Sequence, residues 1–242
     1  MEDGRLKTAV VTGATSGIGA AIATALATAG YRLVVTSRDA AKLAALRARL
    51  RLDEAACVGY EVDFGDPAVT EAVAARMAAA HADIDVLVHS AGYLAFGDLS
   101  TTTAAELDTH YSINVRAPWV LTHHLLPGLV RRRGQVVFIN TSASTQHGKA
   151  GLGAYVGTKL ALKGVADCLR QEVNREGVRV VSIYPGRTAT EMQATIQKSL
   201  DAPYRPERLL QPEDVATTVM QALAMPETAE ITDLHLRPMQ NG

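Results

Sequence analysis

Tyr155-Val-Gly-Thr-Lys159 opens a stretch rich in helix-forming residues. Four residues turn a helix by about 400°, so the phenol and the ammonium share one face. A free phenol titrates near 10, and bringing it near 7 takes roughly 4 kcal/mol. A cation about 4 Å away at an effective dielectric of about 20 supplies around 4 kcal/mol. The pair is therefore of a size to move a proton near neutral pH. Ser142 lies thirteen residues upstream, just after a β-branched run. That is where ligands gather, at the carboxyl edge of an open α/β sheet.

A second cluster suits phosphate. Thr12-Gly-Ala-Thr-Ser-Gly-Ile-Gly19 joins the first apolar run to an Ala-rich stretch. Gly13 permits a tight turn, Gly17 lets backbone approach a pyrophosphate, and Gly19 lets the following helix sit close to the strand. Thr15, Ser16 and Ile18 complete the cradle, whose free N–H groups at the helix start would face the phosphates. Asp63, followed by Phe64, ends the third apolar run, where a carboxylate can accept from an adenine amino group or simply cap a loop. At the end of the second run stand Ser37 and Arg38, with no acid at 37 to take a ribose 2′-hydroxyl. The Arg38 guanidinium instead suits a 2′-phosphate, which favours NADP(H).

These groups need a frame to hold them. Short β-branched runs at 7–12, 32–36, 57–62, 84–89, 135–140, 179–183 and 230–236 read as strands. Several are almost continuously apolar, as in a parallel sheet buried on both faces. Helical stretches fall at 18–29, 40–52, 67–81, 104–133, 154–175 and 213–224. The alternation predicts one domain over 1–242, a doubly wound Rossmann-type parallel sheet of about seven strands with helices on both faces. Arg131-Arg-Arg133 before Gly134 reads as a cationic last helical turn closed by glycine.

Composition excludes other classes. The 242 residues carry 24 Lys plus Arg against 25 Asp plus Glu, which gives no general field for nucleic acid or anionic lipid. Two cysteines cannot build a disulfide framework or a four-thiolate metal site. Cys57 and Cys168 are expected as small core residues, and Trp119 as packed within its helix. His123 and His124 have no acid or cysteine at ligand spacing and are expected on a helix surface, so no metal site is predicted. No secretory signal or 18-residue apolar run is found, and a cytoplasmic protein is expected.

Taken together, TGxxxGxG, a serine thirteen residues before tyrosine, and YxxxK resemble the short-chain dehydrogenase/reductase family, in its compact single-domain branch. The resemblance covers nearly the whole chain. It implies that Tyr155 is the general acid/base, that Lys159 binds the nicotinamide ribose and lowers the tyrosine pKa, and that Ser142 polarises a substrate carbonyl. Asn114 fits the family's fourth member, which relays protons through water. Pro118, four residues on, lacks the N–H that the Asn114 carbonyl would meet in a helix, leaving that oxygen available for a water. Pro185, Gly186, Thr188 and Thr190 resemble the segment that grips the nicotinamide carboxamide. Ala91 and Gly92 keep the close approach to the adenosine side.

One departure is His89-Ser90-Ala91-Gly92, where the family usually reads Asn-Asn-Ala-Gly. His89 is expected as a hydrogen-bonded structural substitute. The resemblance implies an oxidoreductase that interconverts a ketone or aldehyde and an alcohol, assembled as a homotetramer or dimer through 104–133 and 154–175. A non-catalytic NADPH sensor and an epimerase or dehydratase of the same fold are the rival readings. For a small-molecule substrate, Tyr93, Leu94 and Phe96 suggest an apolar wall, Ser144 a polar neighbour, and 191–211 a lid carrying Met192. His147, Lys149 and Arg187 are candidates to meet an anionic group.

Overall fold

A computed structural model describes residues 5–145 and 150–239. The β-branched runs form strands β1 (Thr8–Val11), β2 (Arg32–Ser37), β3 (Cys57–Glu61), β4 (Val86–His89), β5 (Gln135–Ile139), β6 (Arg179–Pro185) and β7 (Asp233–Leu236). They make one sheet in the order β3-β2-β1-β4-β5-β6-β7. Every pairing is parallel. Between them run α1 (Gly17–Thr28), α2 (Ala40–Leu50), α3 (Pro67–Ala80), α4 (Ala104–Tyr111), α5 (Ala117–Arg132), α6 (Gly153–Val173), α7 (Glu191–Ser199) and α8 (Pro212–Leu223). This is the expected doubly wound fold.

Alternation along each strand assigns its side chains to two cores. Ala9, Val11, Val86 and Val88 join Ile22 and Leu26 of α1 and Val215 and Val219 of α8 on one face. Val10, Leu87, Val136 and Phe138 join Val73 and Met77 of α3, Leu121 and Leu125 of α5 and Leu162 of α6 on the other. The central strands β1 and β4 are buried along their whole length, which explains their unbroken apolar sequences.

The helix expected over 104–133 is divided. Ser112–Arg116 form a π-helical turn between α4 and α5, closed by Ala117 N–H donating to the Ser112 carbonyl. Pro118 supplies the reason: without its N–H the α-helical ladder cannot continue at Asn114, and the chain widens by one residue there. The glycine closure expected after Arg133 is also corrected. The left-handed residue that ends α5 is Arg133 itself, at φ 48°. Arg131 and Arg132 do more than complement the helix end, because their Nε atoms reach Asp83 at 3.4 Å and Asp85 at 3.1 Å. Asp85 in turn accepts from Thr8 N at 2.7 Å, so α5 is tied to the start of β1.

Cys57 is buried as expected, whereas Cys168 is exposed on α6. Trp119, expected to be packed, is 60% exposed on α5. His123 is exposed, and His124 pairs with Glu71 of α3 at 2.6 Å. Among the described residues, no three His, Cys, Asp or Glu side chains gather as metal ligands, and no helix is long and apolar enough to cross a membrane.

Candidate active site

The strand order reverses between β1 and β4. At that reversal the carboxyl ends of the strands open into a cleft of about 540 Å³. The turn from β1 to α1 forms its middle. Gly13 is left-handed (φ +63°), and a Cβ there would stand 2.9 Å from Ala91 Cα; a Cβ on Gly19 would stand 2.2 Å from the Gly13 carbonyl oxygen. Both positions exclude a side chain. Asp39 and Asp66 cap α2 and α3, each accepting from two backbone N–H groups. Ser16 at the start of α1 makes no such bond. Gly17, Ile18 and Gly19 therefore line the cleft with first-turn N–H groups that have no intrahelical acceptor.

One end of the cleft carries Arg38 and Lys42 beside Asp39 and Asp63. Ser37 Oγ lies 3.1 Å from Thr15 Oγ1 and accepts from Asp39 N, joining the ends of β1 and β2. Arg38 lines the cleft beside it, and so does Lys42, which the sequence reading missed. Its place in the first turn of α2, four residues after Arg38, is the signal that would have found it. Asp63 lines this end too, with its Oδ1 accepting from Gly65 N at 2.9 Å. Phe64, Ala91 and Gly92 line the cleft wall nearby.

Tyr155 and Lys159 from α6 line the cleft together with Ile139 at the end of β5 and Asn140 just after it. Lys159 is buried, with Nζ donating to the Ile139 carbonyl at 2.9 Å. Burial lowers its ammonium to about 8. It stands 6.0 Å from the centre of the Tyr155 ring. The phenol does not have the depressed pKa that the spacing suggested. Burial pushes it up to about 12, with the Thr141 side chain acting in the opposite direction. Removal from water dominates.

Ser142 is the hydroxyl expected to partner Tyr155. It begins a short 3₁₀ turn over Ser142–Ser144, with Thr141 as the capping residue. Ser144 is buried and donates to the Thr141 carbonyl at 2.7 Å, so it holds that turn instead of facing a substrate. Asn114 is buried in the π-helical turn. Its Nδ2 donates to the Tyr93 carbonyl and to Thr158 Oγ1, while its Oδ1 accepts from Tyr93 N at 2.8 Å. Thr158 Oγ1 passes the connection on to the Tyr155 carbonyl.

Those bonds fix the start of the expected apolar wall, which lies over 93–96. Ala95 N donates to Nε2 of the buried His110, and Gly97 N to the Gly151 carbonyl, so the wall carrying Tyr93, Leu94 and Phe96 is anchored at three points. His110 was missed, because a histidine inside a helical stretch gives no sign of the loop it will meet. Thr190 and Met192 line the cleft at the start of α7. Pro185, Gly186 and Thr188 stand behind them, with Thr188 buried and donating to the Gly186 carbonyl. Arg187 is exposed. His147 and Lys149 lie outside the described residues. His89 is buried, stacked on Phe138 and bonded through Nε2 to Thr122 Oγ1 at 2.9 Å. Burial, helped by the nearby Lys159 charge, lowers its imidazole to about 3 and keeps it neutral.

A short chain dehydrogenase family model matches residues 7–201. The chain belongs to the short-chain dehydrogenase/reductase family. Among the oxidoreductases of this family, serine 3-dehydrogenase from Agrobacterium fabrum is 34% identical over 241 residues, covering 97% of this chain and 95% of the relative. The alcohol dehydrogenase of the archaeon Thermococcus sibiricus, solved with 5-hydroxy-NADP, superposes with a TM-score of 0.84 at 26% identity, covering 98% of this chain and 99% of that one. The closed form of a serine dehydrogenase with NADP+ gives 0.84 at 26%, covering 97% and 96%. This short-chain dehydrogenase/reductase shares its seven-stranded frame with both.

Proposed function

We propose that the chain is an NADP(H)-dependent oxidoreductase that interconverts a ketone or aldehyde and an alcohol, with Tyr155 as general acid/base. The observation that carries this reading is a single cleft with three parts. The uncapped start of α1 lies at its middle, Arg38 and Lys42 at one end, and Tyr155 with Lys159 at the other. Free N–H groups at a helix start suit a pyrophosphate, and paired cations suit a 2′-phosphate. Related NADP-bound structures support the choice of cofactor. Ala91 and Gly92 would border the adenosine side, and Pro185, Gly186, Thr188 and Thr190 the carboxamide.

When bound, the nicotinamide supplies a hydride to the carbonyl carbon or takes one from the alcohol. Tyr155 gives its proton to the carbonyl oxygen during reduction. Burial keeps the phenol protonated, which is the state an acid needs. Lys159, still charged at neutral pH, favours the anion left behind. Ser142, in the turn after β5, stabilises the negative charge that develops on that oxygen. Similarity to a serine 3-dehydrogenase favours a small hydroxylated substrate against the Tyr93–Phe96 wall.

The test is loss of reduced-nicotinamide absorbance over a panel of carbonyl compounds, with NADPH and NADH compared. Turnover with NADPH is expected, and Arg38→Asp should weaken NADPH by roughly 10- to 100-fold, the worth of one charged hydrogen bond. NADPH binding without turnover of any carbonyl would favour the sensor reading instead. An unchanged preference in Arg38→Asp would remove the phosphate role.

A further inference from the structure

Tyr93 lines the cleft together with Tyr155 and Lys159, and the loop that carries it leans on a histidine buried in α4. His110 Nδ1 lies 2.8 Å from the Glu106 carbonyl oxygen, and its Nε2 lies 3.2 Å from Ala95 N. A carbonyl only accepts and an amide N–H only donates, so these neighbours dictate one neutral tautomer, with the proton on Nδ1 and Nε2 accepting. Both ring nitrogens are thereby used inside the protein. The same ring meets Tyr93 edge-on, with centroids 4.7 Å apart and planes at 67°, a favourable arrangement for two aromatic rings.

Residues 93–98 belong to no helix or strand. Their backbone groups have no ladder to pair with and depend on contacts of this kind. Asn114 fixes Tyr93 through its backbone; His110 fixes the Tyr93 ring and the Ala95 amide. The far end of the loop is seated on the approach to α6. Gly97 N donates to the Gly151 carbonyl at 3.0 Å. Gly151 is left-handed at φ +76°, and a Cβ on it would stand 2.1 Å from the Phe96 ring. The loop is thus held between α4, which runs into the Asn114 turn, and the start of α6, which carries Tyr155.

We propose that His110 is a specificity-determining positioning residue, an inference that rests on the hydride-transfer reading above. By holding the Tyr93 ring and the Ala95 amide, it sets the shape of the wall that a carbonyl substrate meets. It takes no part in moving hydride or proton, because both of its nitrogens are committed. A wall of fixed shape binds the ground state and the transition state alike, so its loss is read in KM and not in kcat.

The experiment compares His110→Phe and His110→Leu, which lack the acceptor, with His110→Gln, whose Oε1 stands as many bonds from Cα as Nε2 does. Circular dichroism confirms folding. The readouts are NADPH affinity, KM and kcat for the carbonyl compound that wild type turns over best, and amide hydrogen exchange over 93–97 in protein without substrate. Both acceptor-free variants are expected to raise KM roughly tenfold, the worth of one amide left unpaired. Their kcat and NADPH affinity should stay within about twofold of wild type, and residues 93–97 should exchange faster. His110→Gln should restore most of the KM and the slow exchange. A fall in kcat at unchanged KM, or a His110→Gln as impaired as the acceptor-free variants, would overturn the inference and leave hydride transfer standing. Wild-type protein with no carbonyl turnover would instead remove the functional reading. Exchange over 93–97 would then decide whether His110 holds the wall, and a rate unmoved in His110→Phe and His110→Leu would overturn that as well.

Discussion

At residue scale, the histidine at position 89 is the clearest departure from the family pattern, and it has a measurable cost. Its imidazole remains neutral down to about 3, against an ordinary 6.5. Between those values the unfolded chain binds a proton that the folded chain refuses, so stability must fall as pH drops through that window. His89→Asn restores the residue usual in the family and removes the titrating group. Urea unfolding at about pH 7 and about pH 4 should show wild type losing on the order of a few kcal/mol more than His89→Asn. Equal losses would show that His89 does not titrate in this way. Tyr155 gives the same lesson with the opposite sign. Its burial raises the phenol, which favours its protonated form.

At the scale of elements, Asn114 joins three pieces of chain: its π-helical turn, the Tyr93 wall and α6 through Thr158. Asn114→Ala removes all three bonds and leaves the Tyr93 backbone without its partners, at about 1–3 kcal/mol for each group left unsatisfied. Thermal unfolding should shift down accordingly, and turnover should fall with it because the substrate wall is freed. A variant as stable and as active as wild type would show that the wall is held by His110 and Gly151 alone. Much of this level was legible in the sequence. Apolar runs and Ala-rich stretches gave seven strands and the alternating helices, because two-sided burial writes an unbroken signature. Pro118 marked the irregularity at Asn114, although not its π-helical form. Cys168 and Trp119 were misplaced because residue type alone does not fix which helix face is covered. Lys42 was missed because a lysine in an opening helical turn looks like any solvated charge.

For the whole molecule, the sheet order explains why distant segments meet. Reversal between β1 and β4 brings the glycine turn, Arg38, Gly92 and the α6 pair to one edge, over a sequence span from Gly13 to Lys159. The same frame leaves Leu107, Tyr111, Trp119 and Leu160 exposed on α4, α5 and α6, the segments through which the family resemblance implies assembly. Light scattering should give a multiple of the chain mass, reduced by Trp119→Glu; a wild-type monomer would contradict the expected dimer or tetramer. Everything in the mechanism converges on one phenol. The most direct measurement compares wild type with Tyr155→Phe for both NADPH affinity and carbonyl turnover. The account predicts unchanged NADPH affinity with turnover lowered by roughly 10²- to 10⁴-fold. Turnover retained in Tyr155→Phe would contradict it.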